Sequence, residues 1–345
     1  MTSSPASRPG ALMSAEMAEQ PARLAELLAR REEIAELTGP LFAGGIAGTV
    51  VVARGSSDHA ATTGRYLLEM ATRRPVASAS PSLHTLYKAG VDFEGYVVVA
   101  VSQSGRTPEI TSVLRAAAHR GARTIAVTND PTSSLARAAD AVIDLSVGEE
   151  LAVPATKTVT AEIAAFALLA SACGLDPGEA AWSALPAQVE AVLADSGPAE
   201  ELAAWLVDAV CFATVARGPL SGAAAETALK LQETSALLAT AFTAADLRHG
   251  PIALASSGIR VLALAHPGPA ASDVISLSVE LAKRGADVRI VGPVPGASCG
   301  WAAEAPESLA PVLAVVRGQQ LALSLARALG LDPDHPKGLS KVTET

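Results

Sequence analysis

Short apolar stretches alternate with longer amphipathic stretches through the first half of the chain. Mostly apolar runs at 49–53, 96–101 and 124–128, rich in β-branched residues, have the length and composition of buried strands. The segments 60–71 and 108–119 lie between these runs and carry a helical pattern. Strands separated by helices of about ten residues or more form parallel sheets that are covered on both faces. The pattern therefore predicts an α/β fold.

Two further helical segments and a polar tail flank these strands. A helical pattern over 14–37 follows a start rich in Ser, Pro and Gly, which we predict to be disordered. We expect this helix to be an arm that packs on the body or on a partner subunit. A helix-rich stretch over 161–205, which we expect Gly174, Pro177 and Pro186 to break, joins the two halves.

The second half of the chain repeats the first. Three segments recur in the same order and at nearly the same spacing: Ala53-Arg54-Gly55 as Ala216-Arg217-Gly218, Val98 as Val261, and Arg120-Gly121-Ala122 as Arg284-Gly285-Ala286. We therefore predict two tandem domains, each a parallel sheet sandwiched by helices in the flavodoxin-like manner. The predicted division is a disordered start with an N-terminal helix at 1–40, a first domain at 41–185, a second at 186–330 and a tail at 331–345.

Composition agrees with two α/β interiors and argues against several partners. The 345 residues are 50% hydrophobic but only 3% aromatic, so the interior is built mainly from Ala, Val and Leu. A net charge of −9 without a Lys and Arg cluster argues against nucleic acid. The apolar run 163–175 is too short to span a bilayer, and no secretory signal is visible, so we expect no membrane partner.

The three cysteines indicate a reducing compartment. Cys173, Cys211 and Cys299 are odd in number and widely spaced, which favours buried free thiols over a disulfide framework or a metal site. We therefore expect a cytoplasmic protein without a metal ion or other cofactor.

The segment after the strand 96–101 is the first candidate site. It contains hydroxyl and amide side chains around Gly105, and Pro108 then begins a helix whose N-terminus favours an anion. Ser56 and Ser57, after the neighbouring strand, could complete this cup. The candidate phosphate ligands are Ser56, Ser57, Ser102, Gln103, Ser104 and Thr107. A simpler explanation makes Thr107 a helix cap and the serines ordinary turn residues. A dinucleotide site is disfavoured because no G-x-G-x-x-G follows either first strand.

A second candidate site lies in the other half. Glu226, Lys230 and Glu233 are spaced so that one face of a helix carries all three, although a solvated face with an ion pair would give the same spacing. His249 precedes Gly-Pro at a helix end and is free to point into a cleft. Lys341 lies in a tail that would otherwise be taken for a frayed end.

At these residues the chain resembles the sugar isomerase (SIS) fold family. It is similar to the isomerase half of glucosamine-6-phosphate synthase and to stand-alone glucosamine-6-phosphate deaminases. The matching motifs run in order along nearly the whole chain: Glu-Gln-Pro near residue 20, SQSGRT, Val153-Pro154-Ala155-Thr156-Lys157, ETALKLQE, LRHGP and LSKVT. The resemblance implies two SIS-type domains that bind a sugar 6-phosphate through the six phosphate ligands named above.

The resemblance also implies roles for the remaining candidates. Glu233 would move a proton between C1 and C2, supported by Glu226 and Lys230. His249 would assist ring opening from the neighbouring subunit, which implies a homodimer. Lys341 would form an imine with an open-chain ketose. The residues implied to contact the sugar are Val153, Ala155 and Ser340.

Departures from the family pattern surround the sugar and leave the reaction open. Arg54-Gly55-Ser56-Ser57 replaces Cys-Gly-Thr-Ser, Ala155 replaces a serine and Thr240 replaces an acidic residue. The sequence given shows no amidotransferase segment, so we expect no glutamine-dependent synthesis. The leading hypothesis is conversion of glucosamine 6-phosphate to fructose 6-phosphate and ammonia. The alternatives are a dehydratase that expels the C3 hydroxyl of N-acetylglucosamine 6-phosphate, a fructosamine-6-phosphate deglycase and a non-catalytic sugar-phosphate sensor.

Overall fold

The computed structural model describes residues 8–341, and the strands in this range form two parallel sheets. The first sheet has the order β2-β1-β3-β4-β5 and the second the order β7-β6-β8-β9. The strands are β1 Gly48–Val52, β2 Val76–Ser78, β3 Tyr96–Val101, β4 Arg123–Thr128, β5 Ala141–Asp144, β6 Cys211–Ala216, β7 Leu238–Thr243, β8 Arg260–Leu264 and β9 Asp287–Val291.

The two sheets agree with the sequence prediction in their core strands. The predicted strands 49–53, 96–101 and 124–128 correspond to β1, β3 and β4 within one residue at each end. Taken in chain order, the second, first, third and fourth strands are neighbours in both sheets, as expected for an internal repeat. The α/β prediction is thus confirmed, and parallel pairing places all strand carboxyl ends of a sheet at one edge.

Helices cover the sheets and fill the space between them. They are α1 Ala11–Ala29, α2 Arg31–Phe42, α3 Ser56–Thr72, α4 Ser82–Thr85, α5 Pro108–Ala118, α6 Lys157–Ala172, α7 Glu179–Ala194, α8 Gly197–Leu206, α9 Ser221–Ser235, α10 Ala244–Arg248, α11 Ala271–Lys283 and α12 Ala310–Ala328. Three short 3-10 segments accompany them within residues 8–341.

Three helix predictions need correction. The pattern over 14–37 is two helices, because the backbone leaves helical geometry at Arg30, whose N–H donates to the Leu27 and Leu28 carbonyls. α3 begins at Ser56 and not at residue 60, since Gly55 with φ +58° turns the chain directly into the helix. Pro186 lies inside α7 without ending it. The prediction of disorder for the start lies largely on residues outside the described range.

A shared apolar layer connects the two sheets. One cluster of buried side chains runs from Val99 of β3, through α3, α6, α9 and α12, to Leu262 of β8. Two glycines allow α3 to approach α6 and α9 closely, because a side chain at either position would clash. A Cβ on Gly64 would lie 2.2 Å from the Phe166 ring, and a Cβ on Gly222 would lie 2.3 Å from the His59 carbonyl oxygen. The polar residues on α3, α6 and α9 are therefore held at fixed positions relative to one another.

The two ends of the described chain are tied together. Asp334 accepts hydrogen bonds from the backbone N–H groups of Leu12 (2.9 Å) and Met13 (2.8 Å), at the start of α1. Asp332 accepts one from the Gly10 N–H at 3.1 Å. These carboxylates lie at the positive end of α1, which stabilises them there. The tail is thus anchored just before Lys341.

The three cysteines are free thiols, but the expectation that they are buried is wrong: Cys173 and Cys299 are half-buried, and Cys211 is exposed at the start of β6. Burial raises the pKa of the Cys173 thiol to about 11. Among residues 8–341, no helix has both the length and the apolar character that crossing a bilayer requires.

Candidate functional site

A cavity of about 910 Å³ lies beyond the carboxyl ends of β1, β3 and β4. Loops from the first sheet form one side, while α9 and the C-terminal tail reach in from the other half. The predicted site residues that line it are Ser56, Ser57, Ser102, Gln103, Ser104, Thr107, Val153, Ala155, Glu233, Ser340 and Lys341. The structure therefore gathers the candidate phosphate ligands, the candidate sugar contacts and two candidate catalytic groups around one space.

The loop after β3 is held in a tight turn by its packing. Gly105 has φ +60°, and a Cβ there would lie 2.1 Å from Ser133 Oγ and 2.8 Å from Thr128 Oγ1. Only glycine fits both the left-handed backbone and the close contact. The turn leaves the side chains of Ser102 and Ser104 at the cavity, immediately before α5.

Thr107 stands at the N-cap of α5, but its side chain makes no capping hydrogen bond. Its hydroxyl instead lies 3.3 Å from Ser102 Oγ. The explanation of Thr107 as a helix cap is therefore wrong for the side chain, whose hydroxyl faces the cavity with that of Ser102. Because the first turn of α5 carries partial positive charge, this group of hydroxyls surrounds a favourable place for an anion.

Ser56 and Ser57 differ from their predicted setting. They occupy the first turn of α3 and not a loop at the strand end, so the N-termini of both α3 and α5 border the cavity. The backbone of Gly55 allows this early helix start. The earlier start of α3 supports the prediction that the cavity binds an anion, because a second helix N-terminus adds to the positive potential there.

The equivalent loop of the second sheet is filled by protein. His266, which replaces the serines there, is 3% exposed. Its Nε2 lies 2.7 Å from the Ala305 carbonyl, and its Nδ1 accepts a hydrogen bond of 3.0 Å from Trp301 Nε1. Glu307 packs so closely that a Cβ on Gly268 would lie 3.1 Å from its carboxyl carbon. Among the described residues, the loop after β8 therefore differs in chemistry from the hydroxyl-rich loop after β3.

The three ionisable residues of α9 form a buried network. Glu226 and Lys230 are each 1% exposed and Glu233 is 20% exposed, so the solvated-face explanation is wrong. Lys230 Nζ lies 3.3 Å from Glu226 Oε1 and donates a short hydrogen bond to Glu233. Of the three, Glu233 lines the cavity, with the lysine directly behind it.

Burial and pairing act in opposite directions on these groups. Burial by itself raises the pKa of Glu226, but the charge of Lys230 and the contact with His59 outweigh it and lower that pKa. Burial likewise lowers the pKa of Lys230, and the two glutamates reverse the effect and raise it. Lys230 is therefore a permanent cation next to Glu233.

His59 belongs to this network and was not identified from the sequence. Its Nδ1 lies 2.8 Å from Glu226 Oε2, across the close approach of α3 and α9. It is part of the first turns of α3, three residues after Ser56. The sequence could have identified His59 as a site residue, because it closely follows Ser56 and Ser57 and the first turn of α3 borders the cavity.

Glu150 holds the tail in place and was also missed. Its carboxylate accepts hydrogen bonds from Lys341 Nζ (3.0 Å), Gln103 Nε2 (2.9 Å) and the Thr158 hydroxyl (2.9 Å). Lys341 Nζ also donates to the Ala152 carbonyl at 2.8 Å. Burial raises the pKa of Glu150, but Lys341 and the hydrogen bonds outweigh it and lower that pKa. An ionised Glu150 thus links Lys341 of the tail to the loop at 102–107 after β3, which we call the serine loop.

Glu162 is a third missed residue of the cavity. It lies on α6 and is 1% exposed, and its Oε1 lies 2.8 Å from Ser57 Oγ, within hydrogen-bond distance. Burial, aided by the negative charges of Glu150 and Glu226, raises the pKa of Glu162 to about 8. The sequence signal was a single acidic residue within an otherwise apolar stretch of helix.

His249 lies outside this constellation. It follows α10 as an exposed residue and does not line the cavity of its own chain. Glu226 and Lys230 do not line the cavity either. Lys230 contacts Glu233 directly, and Glu226 contacts Lys230. The remaining geometry combines an anion cup, a carboxylate backed by a cation, and a primary amine. Such a set can bind a phosphorylated carbonyl compound and move a proton on the carbon beside the carbonyl.

Comparison with known proteins relates this chain to a domain family and to named relatives. The SIS domain profile matches residues 49–172. A glutamine–fructose-6-phosphate aminotransferase (isomerizing) from Methanothermobacter thermautotrophicus is 32% identical over 337 residues, which is 95% of this chain and 56% of that protein. The chain thus spans little more than half the length of this curated relative.

Solved structures extend the comparison. A candidate phosphosugar isomerase from Silicibacter pomeroyi DSS-3 is 31% identical, with a TM-score of 0.86 over 94% of this chain and 99% of that one. The C-terminal domain of glucosamine-fructose-6-phosphate aminotransferase from Francisella tularensis has a TM-score of 0.80 at 22% identity, covering 97% of this chain and 100% of that one, a likeness of fold. By profile, identity and coverage together, the chain belongs to the sugar isomerase (SIS) domain family.

Proposed function

We propose that this chain is an amino-sugar 6-phosphate enzyme that converts glucosamine 6-phosphate to fructose 6-phosphate and ammonia. The observation that carries the proposal is the single cavity shared by the serine loop, Glu233 and Lys341. The names of the relatives, which concern fructose 6-phosphate and phosphosugar isomerisation, support the same substrate class.

The phosphate is the anchor of the substrate. Its oxygens accept hydrogen bonds from Ser102, Ser104 and Thr107 and lie at the N-termini of α3 and α5. The phosphate is far from the reacting carbons, so its binding energy serves to hold C1 and C2 against the carboxylate.

Glu233 is the base of the proposed reaction. It removes the C2 proton of the open-chain aldose, and the electrons of that bond form the C1–C2 double bond of an enolamine while O1 gains a proton. Return of the proton to C1 gives an iminium at C2, to which water adds before ammonia leaves. Lys230, a buried cation behind Glu233, donates a short hydrogen bond to the Glu233 carboxylate and fixes its position beside the substrate carbons.

Lys341 acts on the ketose side of the reaction. Its amine can form an imine with an open-chain ketose, with loss of water, and Glu150 and the Ala152 carbonyl hold the amine in the cavity. Val153, Ala155 and Ser340 line the space between the tail and the serine loop and are proposed to contact the sugar.

A second copy of the chain completes the site in this proposal. His249 is exposed and lies away from the cavity of its own chain, as a residue delivered to a neighbour would be. We propose a homodimer in which His249 opens the sugar ring in the partner's cavity. A crystal of the complex with a 6-phosphosugar tests this, because His249 of a second copy should lie within hydrogen-bond reach of the sugar. A monomeric complex would contradict it.

The reaction is tested by incubating the purified chain with three separate sugar phosphates in D₂O. With glucosamine 6-phosphate we expect ammonia and fructose 6-phosphate in equal amounts, with deuterium incorporated at C1. Ultraviolet-absorbing product from N-acetylglucosamine 6-phosphate would instead indicate the dehydratase, and turnover of fructosamine 6-phosphate alone would indicate the deglycase. Binding without turnover of any of the three would indicate a sensor and contradict the proposal.

A further inference from the structure

Glu162 is an acidic residue on the wall of the cavity with no role in the reaction described above. It projects from α6, and its side chain is 1% exposed, yet it belongs to the lining of the cavity. Burying a carboxyl group is costly unless it is neutral or fully hydrogen-bonded. Its presence in an apolar helix therefore calls for a specific partner.

The partner of Glu162 is Ser57. Within residues 8–341, the Ser57 hydroxyl is its hydrogen-bond partner, with 2.8 Å between Oγ and Glu162 Oε1. Ser57 is also one of the hydroxyls proposed to hold the phosphate, and it lines the same cavity. The contact therefore connects the protonation of Glu162 to the anion cup.

The surroundings of Glu162 favour its neutral form. The charged groups that act on it are Glu150 on the loop before α6, Glu226 on α9 and Lys341 on the tail. On α3, His59 faces Glu226, and Lys230 lies between Glu226 and Glu233. With burial as the main cause, the pKa of Glu162 rises to about 8, so the neutral carboxyl dominates at neutral pH.

The direction of the hydrogen bond decides what Ser57 offers a ligand. A hydroxyl has one proton to donate, whereas a neutral carboxyl can donate its own. An ionised Glu162 accepts the Ser57 proton, leaving no donor for a phosphate oxygen, and it places a negative charge near the ligand. A neutral Glu162 donates to Ser57 Oγ, so the Ser57 proton can point at the phosphate.

We propose that Glu162 is a positioning residue for phosphate binding: its neutral carboxyl donates to Ser57 Oγ and frees the Ser57 hydroxyl to donate to the substrate phosphate. This inference rests on the proposed function, because it assumes that the cavity binds a 6-phosphosugar. It predicts that affinity for the phosphate depends on a proton bound to the protein and falls as that proton is lost.

The test is calorimetric titration of the full chain with fructose 6-phosphate between pH 7 and pH 9.5. A sugar phosphate with a second pKa of about 6 is already dianionic throughout this range, so its own charge does not change. For the unchanged protein we expect the Kd of fructose 6-phosphate to rise by about tenfold from pH 7 to pH 9, as Glu162 ionises.

Glu162→Gln separates the proposal from a merely structural role. The amide can donate to Ser57 Oγ as the neutral carboxyl does, so at pH 7 we expect a Kd within about threefold of the unchanged protein, and nearly no change up to pH 9. Ser57→Ala should weaken binding at pH 7 and also flatten the pH dependence. As a matched control, Glu69→Gln changes an exposed acid of α3 that does not line the cavity, and it should keep the tenfold rise.

Two results would overturn the inference alone: a Kd for the unchanged protein that stays constant to pH 9, or a Glu162→Gln variant that loses affinity as steeply as its parent. Absence of any phosphosugar binding at pH 7, in a protein shown by thermal melting to be folded, would overturn the proposed function and the inference with it.

Discussion

Glu233→Gln is expected to lower kcat for glucosamine 6-phosphate by about a thousandfold, the usual contribution of a positioned general base. Glutamine keeps the size of the side chain and can still accept a hydrogen bond from Lys230, but it cannot take a proton from carbon. The KM should change by less than about threefold, because the phosphate anchor is untouched. Steady-state assay of ammonia release gives both constants.

The matched control for this change is Glu69→Gln, which alters an exposed acid of α3 that does not line the cavity. It should retain kcat within about threefold of the unchanged protein. A Glu233→Gln variant that keeps more than about a tenth of the parental kcat would show that another group removes the C2 proton.

Lys230→Met is expected to lower the free energy of unfolding by about 3–5 kcal/mol. Lys230 is 1% exposed and pairs with both Glu226 and Glu233, so its loss leaves the fully buried Glu226 without its main counter-charge. Methionine has a similar length and fills the space. Unfolding in urea, followed by circular dichroism, measures the difference.

The double variant Glu226→Gln with Lys230→Met should recover a large part of that loss, because removing both charges of a buried pair costs much less than removing one. Lys283→Met, at the exposed end of α11, is the control and should change stability by less than about 0.5 kcal/mol. A loss below about 1 kcal/mol for Lys230→Met would mean that the ion-pair network does not stabilise α9.

The features predicted well from the sequence are those encoded by neighbouring residues. β1, β3 and β4 are central strands, buried on both faces, and each contains an apolar stretch of at least three residues. The loop at 102–107 was predictable because hydroxyls, a glycine and a proline stand together directly after a strand. The repeat gave the placement of α9 after the first strand of the second sheet, which the structure confirms.

Features that depend on distant contacts were not predictable in the same way. β2 is a three-residue edge strand with two exposed positions, so it has no apolar run to mark it. The burial of Glu226 and Lys230 is set by the packing of α9 against α3 and α12, which spacing along one helix does not reveal. Glu150, Glu162 and His59 became site residues only when the fold placed them beside Lys341, Ser57 and Glu226.

Departures from the family pattern acquire physical meaning in the structure. Arg54, which stands where the family has a cysteine, pairs with Glu109 at 2.8 Å at the edge of the cavity. Ala155 leaves a position on the cavity wall without a hydroxyl. Nothing in the structure explains Thr240, whose side chain is exposed on β7.

The central claim is that one small molecule bridges the serine loop and Glu233, and a crystal structure with bound fructose 6-phosphate tests it most directly. The account predicts phosphate oxygens about 3 Å from the hydroxyls of Ser102, Ser104 and Thr107, and C1 or C2 within about 3.5 Å of the Glu233 carboxylate. A phosphate bound elsewhere, or a sugar whose reacting carbons lie away from Glu233, would contradict it.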